Sequence, residues 1–166
     1  MRGLLLRPAL DSDGYAVLSI MAECFLQFRG CYFDFHENSD VASPASTYAR
    51  KGGVYYILEA LDGRIEACAG VKRATPSSVA PATADWELSR FYVRPLLQAA
   101  GVGTRLFKVM MAFARARGGG SVIAWSDTRF TGAHAFYQKH GMQKLDLQRP
   151  LHDVSQSLEY AFYKAI

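Results

Sequence analysis

Val102, Leu106, Val109, Met110 and Phe113 recur at the spacing that lines one side of a helix with apolar groups, and Gly118-Gly119-Gly120 ends that helix. Shorter apolar runs flank it. Leu4 to Arg7 reads as a first strand, and Asp11 or Ser12 caps a helix running to about Phe28. Val54 to Ala60 and Arg64 to Lys72 are two strands joined at Asp62-Gly63, a pair that supplies the positive φ angles of a tight turn. Trp86 to Val93 and Val122 to Ser126 read as strands, and Thr131 caps a second helix that stops at Gly141. Met142 to Leu147 and Ser157 to Lys164 close the chain as strands. Arg73 to Asp85, with Pro76 and Pro81 and no apolar period, reads as a loop that is either a lid or a solvated connector.

The chemistry concentrates where the strand 86–93 gives way to the long helix. Gln98-Ala99-Ala100-Gly101-Val102-Gly103-Thr104 places glycines where backbone can approach an anion, and the first turn of the helix offers N–H groups with no internal partner. The helix dipole favours negative charge at the same place. Two familiar phosphate loops are excluded. A Walker loop requires Gly-Lys-Ser/Thr, whereas Gly103 precedes Thr104-Arg105; a dinucleotide fingerprint requires a third glycine, whose position Leu106 fills.

This loop resembles the pyrophosphate loop of the GNAT superfamily of acyl-CoA-dependent N-acyltransferases, Gln/Arg-x-x-Gly-x-Gly/Ala after a strand ending in an apolar residue, here Val93. A second block, Ala133-His134-Ala135-Phe136-Tyr137-Gln138-Lys139-His140-Gly141-Met142, is similar to the helix that carries the superfamily's tyrosine. The resemblance extends over most of the chain. It implies a single domain over 1–166 of α/β class (a mixed α+β sheet, mostly antiparallel and flanked by helices) in the order βααβββαβαββ. It implies acetyl-CoA as co-substrate, held by Phe91, Tyr92 and Val93 and by Gln98 to Thr104, and direct transfer to a primary amine of a small molecule in a ternary complex. Homodimers are frequent in the superfamily, which leaves that assembly open here.

The resemblance assigns Tyr137 as the acid that protonates the departing thiolate, and a phenol with an ordinary pKa near 10 keeps its proton at neutral pH. A backbone N–H in Phe91 to Val93 would receive the oxyanion. Glu87, six residues before Val93, stands where some members place the carboxylate that takes the amine's proton. Phe28, Tyr32 and Trp86, with Asp127, are acceptor-site candidates, suiting a cationic amine through charge and cation–π attraction. Ser126-Asp127-Thr128 is also a plain turn sequence. His152 is an alternative base, and Asp153 and Glu159 lie in or near the connection between the last two strands. Many relatives carry Asn seven residues before the helix tyrosine, where this chain has Phe130, with Thr131 beside it as a partial substitute. Gln98 replaces a common Arg, leaving Arg94, Arg105 and Lys139 to supply charge toward the pyrophosphate.

Composition narrows the alternatives. The net charge of +4 suits an anionic ligand, but the basic residues are scattered and form no stripe for nucleic acid. Cys24, Cys31 and Cys68 are odd in number and lack the spacing of a zinc or redox site, so they read as reduced thiols with no metal. No apolar run approaches the roughly 18 residues of a membrane span, and the expected location is cytoplasmic. No nucleophile motif supports a Ser-His-Asp or Cys-His triad. A protein or peptide acetyltransferase and a non-catalytic acyl-CoA sensor remain the rival readings.

Overall fold

The alternation of β2 (Val54–Ala60) and β3 (Ile65–Arg73) sends Tyr55, Ile57 and Cys68 into one buried cluster and Leu58, Ala67, Ala69 and Val71 into another. A sheet with apolar residues on both faces needs cover on both sides. In this computed structural model, which describes residues 3–75 and 84–166, that cover comes from helices. The remaining elements are β1 (Leu4–Pro8), α1 (Gly14–Phe25), α2 (Pro44–Arg50), β4 (Trp86–Val93), α3 (Val102–Ala116), β5 (Ser121–Asp127), α4 (Thr131–Lys139), β6 (Gln143–Pro150) and β7 (Leu158–Ala165). Their order is the expected βααβββαβαββ. Helix α1 buries Val17, Ile20 and Met21 against the first cluster, and α3 buries Leu106, Met110 and Ala114 in the second, where Trp86, Val122 and Phe162 meet them.

The seven strands lie in the order β1-β2-β3-β4-β5-β7-β6, antiparallel throughout except where β4 and β5 run parallel. That one parallel pair creates the site. β4 is in register with β5 only from Trp86↔Val122 to Leu88↔Ala124, while its remaining residues continue along β3 alone. The strands therefore part after Leu88.

A bulge marks the parting. The register of β3 against β4 shifts between Cys68 and Gly70, and Arg90 adopts φ 51°, a left-handed conformation that costs a non-glycine residue of order 1 kcal/mol. Two buried tyrosines hold it. The Tyr55 hydroxyl donates to the Arg90 carbonyl at 3.1 Å, and the Tyr48 hydroxyl lies 2.8 Å from Ser89 Oγ. Both rings occupy the slot left by Gly70, where an added Cβ would stand 2.0 Å from Tyr48 and 2.7 Å from Tyr55.

Several local expectations change. The helix α1 begins at Gly14 after a short 3-10 turn, and Asp11 instead accepts the Ser46 N–H at 2.8 Å, satisfying the first turn of α2. It ends at Phe25, short of Phe28. At the hairpin only Gly63 has positive φ (83°), and its N–H donates to Ala60, so the connection is a turn followed by a left-handed glycine rather than a two-residue turn. Phe130, not Thr131, precedes α4, and its N–H donates to the Asp127 carbonyl at 2.9 Å. Residues 76–83 of the expected lid or connector lie outside the described residues.

Candidate active site

On the loop side of the β4–β5 gap, Ala99 (φ 64°) and Gly101 (φ 80°) turn the chain from β4 into α3. Arg105 donates back to the Gly101 carbonyl at 3.2 Å, so Val102, Gly103 and Thr104 open the helix with N–H groups that the helix itself does not use. Gly103 also has a packing reason, since an added Cβ would lie 3.2 Å from the Phe136 ring of α4. The Gln98 amide donates to the Val93 carbonyl at 3.1 Å, fixing the loop to the end of β4. The Arg94 N–H donates to Glu66 on β3, and alternation along the strand turns the Val93 N–H away from β3 toward the gap.

Two helices are locked together beside this loop. His140 Nδ1 sits 2.8 Å from the Phe136 carbonyl, which only accepts, so that nitrogen carries the hydrogen and Nε2 accepts from the Thr104 hydroxyl at 3.0 Å. Tyr137, one residue past Phe136, is 5% exposed and its ring packs on Phe162 with centroids 5.3 Å apart. Burial pushes its phenol well above the ordinary value, and its hydroxyl lies within electrostatic reach of Tyr92 and Glu159. That hydroxyl has no hydrogen-bond partner among the described residues.

Tyr92 and Glu159 both line a cavity of about 140 Å³, together with Phe25, Arg90, Asp127 and Phe130. Segments far apart in the chain close it. Arg90 donates to Asp40 Oδ1 at 2.9 Å and to Asn38 Oδ1 at 2.6 Å, drawing the loop after α1 over the bulge. Glu37 accepts the Val154 N–H at 2.8 Å, and Ser155 Oγ accepts the Tyr32 N–H at 2.7 Å, so the same loop is tied to the β6–β7 connection. Arg129 grips both Asp127 oxygens, at 2.8 and 2.6 Å, and reaches Ser157 Oγ at 3.0 Å. Burial alone would raise the Asp127 carboxyl, but the hydrogen bonds from Arg129 overcome it and hold it below the usual range. Burial lowers the His134 imidazole, which remains neutral and donates through Nε2 to the Asp127 carbonyl at 2.9 Å.

This arrangement has known counterparts. Residues 15–142 match the model of the acetyltransferase (GNAT) family. The chain belongs to that family. An acetyltransferase of the GNAT family from Staphylococcus aureus Mu50 superposes with a TM-score of 0.80 at 14% identity, covering 98% of each chain. A Salmonella typhimurium structure with its cofactor acetyl-CoA gives 0.72 at 17% identity over 99% of this chain and 94% of that one. A phosphinothricin acetyltransferase from Sinorhizobium meliloti, in complex with acetyl-CoA, gives 0.73 at 18% over 99% and 89%. No curated protein matches the chain in sequence.

Within this GNAT acetyltransferase, the expected residues fall into three groups. Phe91 to Val93 lie on the stretch of β4 that has left β5, Gln98 to Thr104 follow it into α3, Tyr137 lies within electrostatic reach of Tyr92, and Tyr32 and Asp127 line the cavity. Phe28 stands one layer back, stacked on Phe130 with centroids 4.6 Å apart. Trp86 and Glu87 depart from expectation. Trp86 is fully buried against Phe113 of α3 on the opposite face, because the two-residue period of β4 points it with Leu88 into the core. Glu87 is absent from the cavity lining and pairs with Lys72 at 3.2 Å. Arg94 gives no charge to the loop, since Glu23 and Glu66 take its guanidinium, and Arg105 donates to the Leu4 carbonyl at 2.9 Å. Phe130, where many relatives have Asn, becomes an aromatic wall against Phe25 and Phe28.

Sequence reasoning missed Arg90, because a bulge leaves no trace in the pattern of residues, and Arg129, whose spacing two residues from Asp127 was a usable signal. No group of three or more His, Cys, Asp or Glu is set to hold a metal among the described residues. No described helix is long and apolar enough to cross a membrane.

Proposed function

We propose that residues 1–166 form one acetyl-CoA-dependent N-acetyltransferase domain that transfers the acetyl group directly to a primary amine of a small cationic molecule. The observation that carries this reading is the small acidic cavity on the far side of the gap from the phosphate loop. Among the described residues Glu37, Asp127, Asp153 and Glu159 line it with Arg90. Arg129 and Arg149 pair with Asp127 and Glu159 but are not among the lining, so the surface toward a ligand is mainly acidic and favours an ammonium. Its volume, about 140 Å³, lies below the roughly 300 Å³ at which drug-sized pockets begin, and favours an amine-bearing chain over a folded peptide. The acetyl-CoA held by two of the structural counterparts supports the choice of donor.

The donors at the start of α3 fit a pyrophosphate: three unshared N–H groups at the exposed mouth of a 15-residue helix. The Val93 N–H faces the gap, where it would take the charge developing on the thioester oxygen. Holding amine and thioester side by side replaces a bimolecular encounter and supplies about 7 kcal/mol or more in favourable cases. Tyr137, whose burial keeps it protonated, donates to the departing sulfur.

Thiol release from acetyl-CoA, followed against polyamines, amino acids, aminoglycosides and short peptides, tests the reading. Saturable release with small cationic amines is expected, with intersecting initial-rate lines when both substrates are varied. Release with peptides alone, or no release with acetyl-CoA bound, would overturn it in favour of a protein acetyltransferase or a sensor.

A further inference from the structure

Resting on that reading, one carboxylate in the cavity is still without a role. Glu159 stands at the start of β7, in register with Asp127 on β5 and Arg149 on β6. Its side chain is 14% exposed and lines the cavity beside Tyr92. Arg149 Nε donates to Oε2 at 2.6 Å, and Oε1 accepts no hydrogen bond among the described residues. Of the other cavity carboxylates, Asp127 has both oxygens held by Arg129, while Asp153 and Glu37 each take one backbone N–H, from Ser157 at 2.7 Å and Val154 at 2.8 Å. Glu159 differs from these two in standing on a strand, beside Tyr92 and within electrostatic reach of Tyr137.

The groups around Glu159 oppose one another. Burial raises its proton affinity most, Arg149 on β6 and Arg90 on β4 lower it, and Glu87 on β4 raises it. Asp127 on β5, already paired, and the Tyr137 phenol on α4 complete the set. The balance lies upward, so this carboxyl titrates closer to neutrality than an exposed one, which is what a base at neutral pH requires.

We propose that Glu159 is the general base of the transfer, receiving a proton from the acceptor ammonium in the cavity, and that Glu87, held on Lys72, tunes it by charge without touching the amine. The ammonium gives one proton to Glu159, which passes it to solvent. The neutral nitrogen adds to the thioester carbon, the C–S bond breaks, and Tyr137 protonates the sulfur. The proton that nitrogen sheds as the amide forms restores the phenol. Ammonium and thioester thus yield amide, thiol and one proton.

The test compares wild type, Glu159→Gln, Glu159→Asp and Glu87→Gln with two probes: 1,4-diaminobutane, charged at neutral pH, and hydroxylamine, largely neutral there. Glu159→Gln should lose about 100-fold in kcat/KM for the diamine. It should keep hydroxylamine transfer within a few fold and bind acetyl-CoA as wild type does. Glu159→Asp, which retains the charge, should recover part of the diamine rate. Glu87→Gln should stay active and move the acid limb of the pH profile to lower pH, because removing a negative neighbour lowers the Glu159 pKa. Equal loss with both probes would make Glu159 structural. Diamine transfer abolished in Glu87→Gln but intact in Glu159→Gln would return the role to Glu87. Either result overturns the proposal while the acetyltransferase stands; wild type inert to both amines overturns the small-amine reading and the proposal with it.

Discussion

The wall of the gap that faces the phosphate loop is built almost entirely from residues 91–104 and one neighbouring helix, whereas the cavity wall joins residues 25–40, 90–92, 127–130 and 151–159. The first is local: strand, turn and helix follow one another, and what it offers a ligand is backbone N–H groups. The second depends on side chains meeting across long sequence separations, as in Arg90 with Asp40 and Glu37 with Val154. A backbone site tolerates changes in nearby side chains, provided the glycines remain. A site of convergent side chains inherits every packing constraint of the fold that brings them together. Stability and acceptor chemistry should therefore be coupled on the cavity side and largely separable on the loop side.

Gly70→Ala should break the cavity wall most severely. The new methyl has no room beside the buried Tyr48 and Tyr55 rings that support the Arg90 bulge. Overpacking of this kind costs about 3 kcal/mol. Denaturant unfolding should show that loss, and amine transfer should fall with it.

Asp127→Asn comes next, at about 2 kcal/mol, between the worth of an exposed pair and the cost of breaking a fully buried one. The native carboxylate titrates below its ordinary range. Its contribution is present above the unfolded value of about 3.9 and is lost as pH falls through the lower native one. Unfolding curves of wild type and variant should therefore differ at pH 7 and converge in strong acid.

Gly103→Ala sharpens the contrast from the other side. The contact with Phe136, 3.2 Å, is tight but faces a side chain, and alanine gains about 1 kcal/mol of helix propensity. Stability should change by less than about 1 kcal/mol while the KM for acetyl-CoA rises several-fold, since the methyl narrows the backbone's approach to phosphate.

The same division explains what could be read from the chain before its structure was known. The loop Gln98 to Thr104 and the helix carrying Tyr137 were legible because a glycine turn opening a helix, and a helix stopped by Gly141, are set by local backbone geometry and short spacing. Periodicity and the Asp62-Gly63 turn marked β2, β3 and α3, whereas the full order βααβββαβαββ was what the GNAT resemblance implied, since no apolar period announces α2. Trp86 was misplaced because a strand buried on both faces does not announce which face its largest side chain takes. The GNAT resemblance makes Glu87 a candidate base, with His152 as an alternative, but its partner Lys72 comes from the adjacent strand, and only the register of β3 with β4 brings them together. Arg90 reaches the cavity through a bulge that no spacing encodes, and Glu159, named with the connection of the last two strands, is aimed by a hairpin register that the sequence does not show.

As proposed, Tyr137, within reach of Tyr92 and Glu159, serves the chemistry rather than the binding of the donor. The direct test is calorimetric titration of acetyl-CoA into wild type and Tyr137→Phe, coupled to turnover with the best amine of the panel. Equal affinity with turnover lowered about 100-fold is the expected result. Unchanged turnover, or affinity lost in step with turnover, would contradict it.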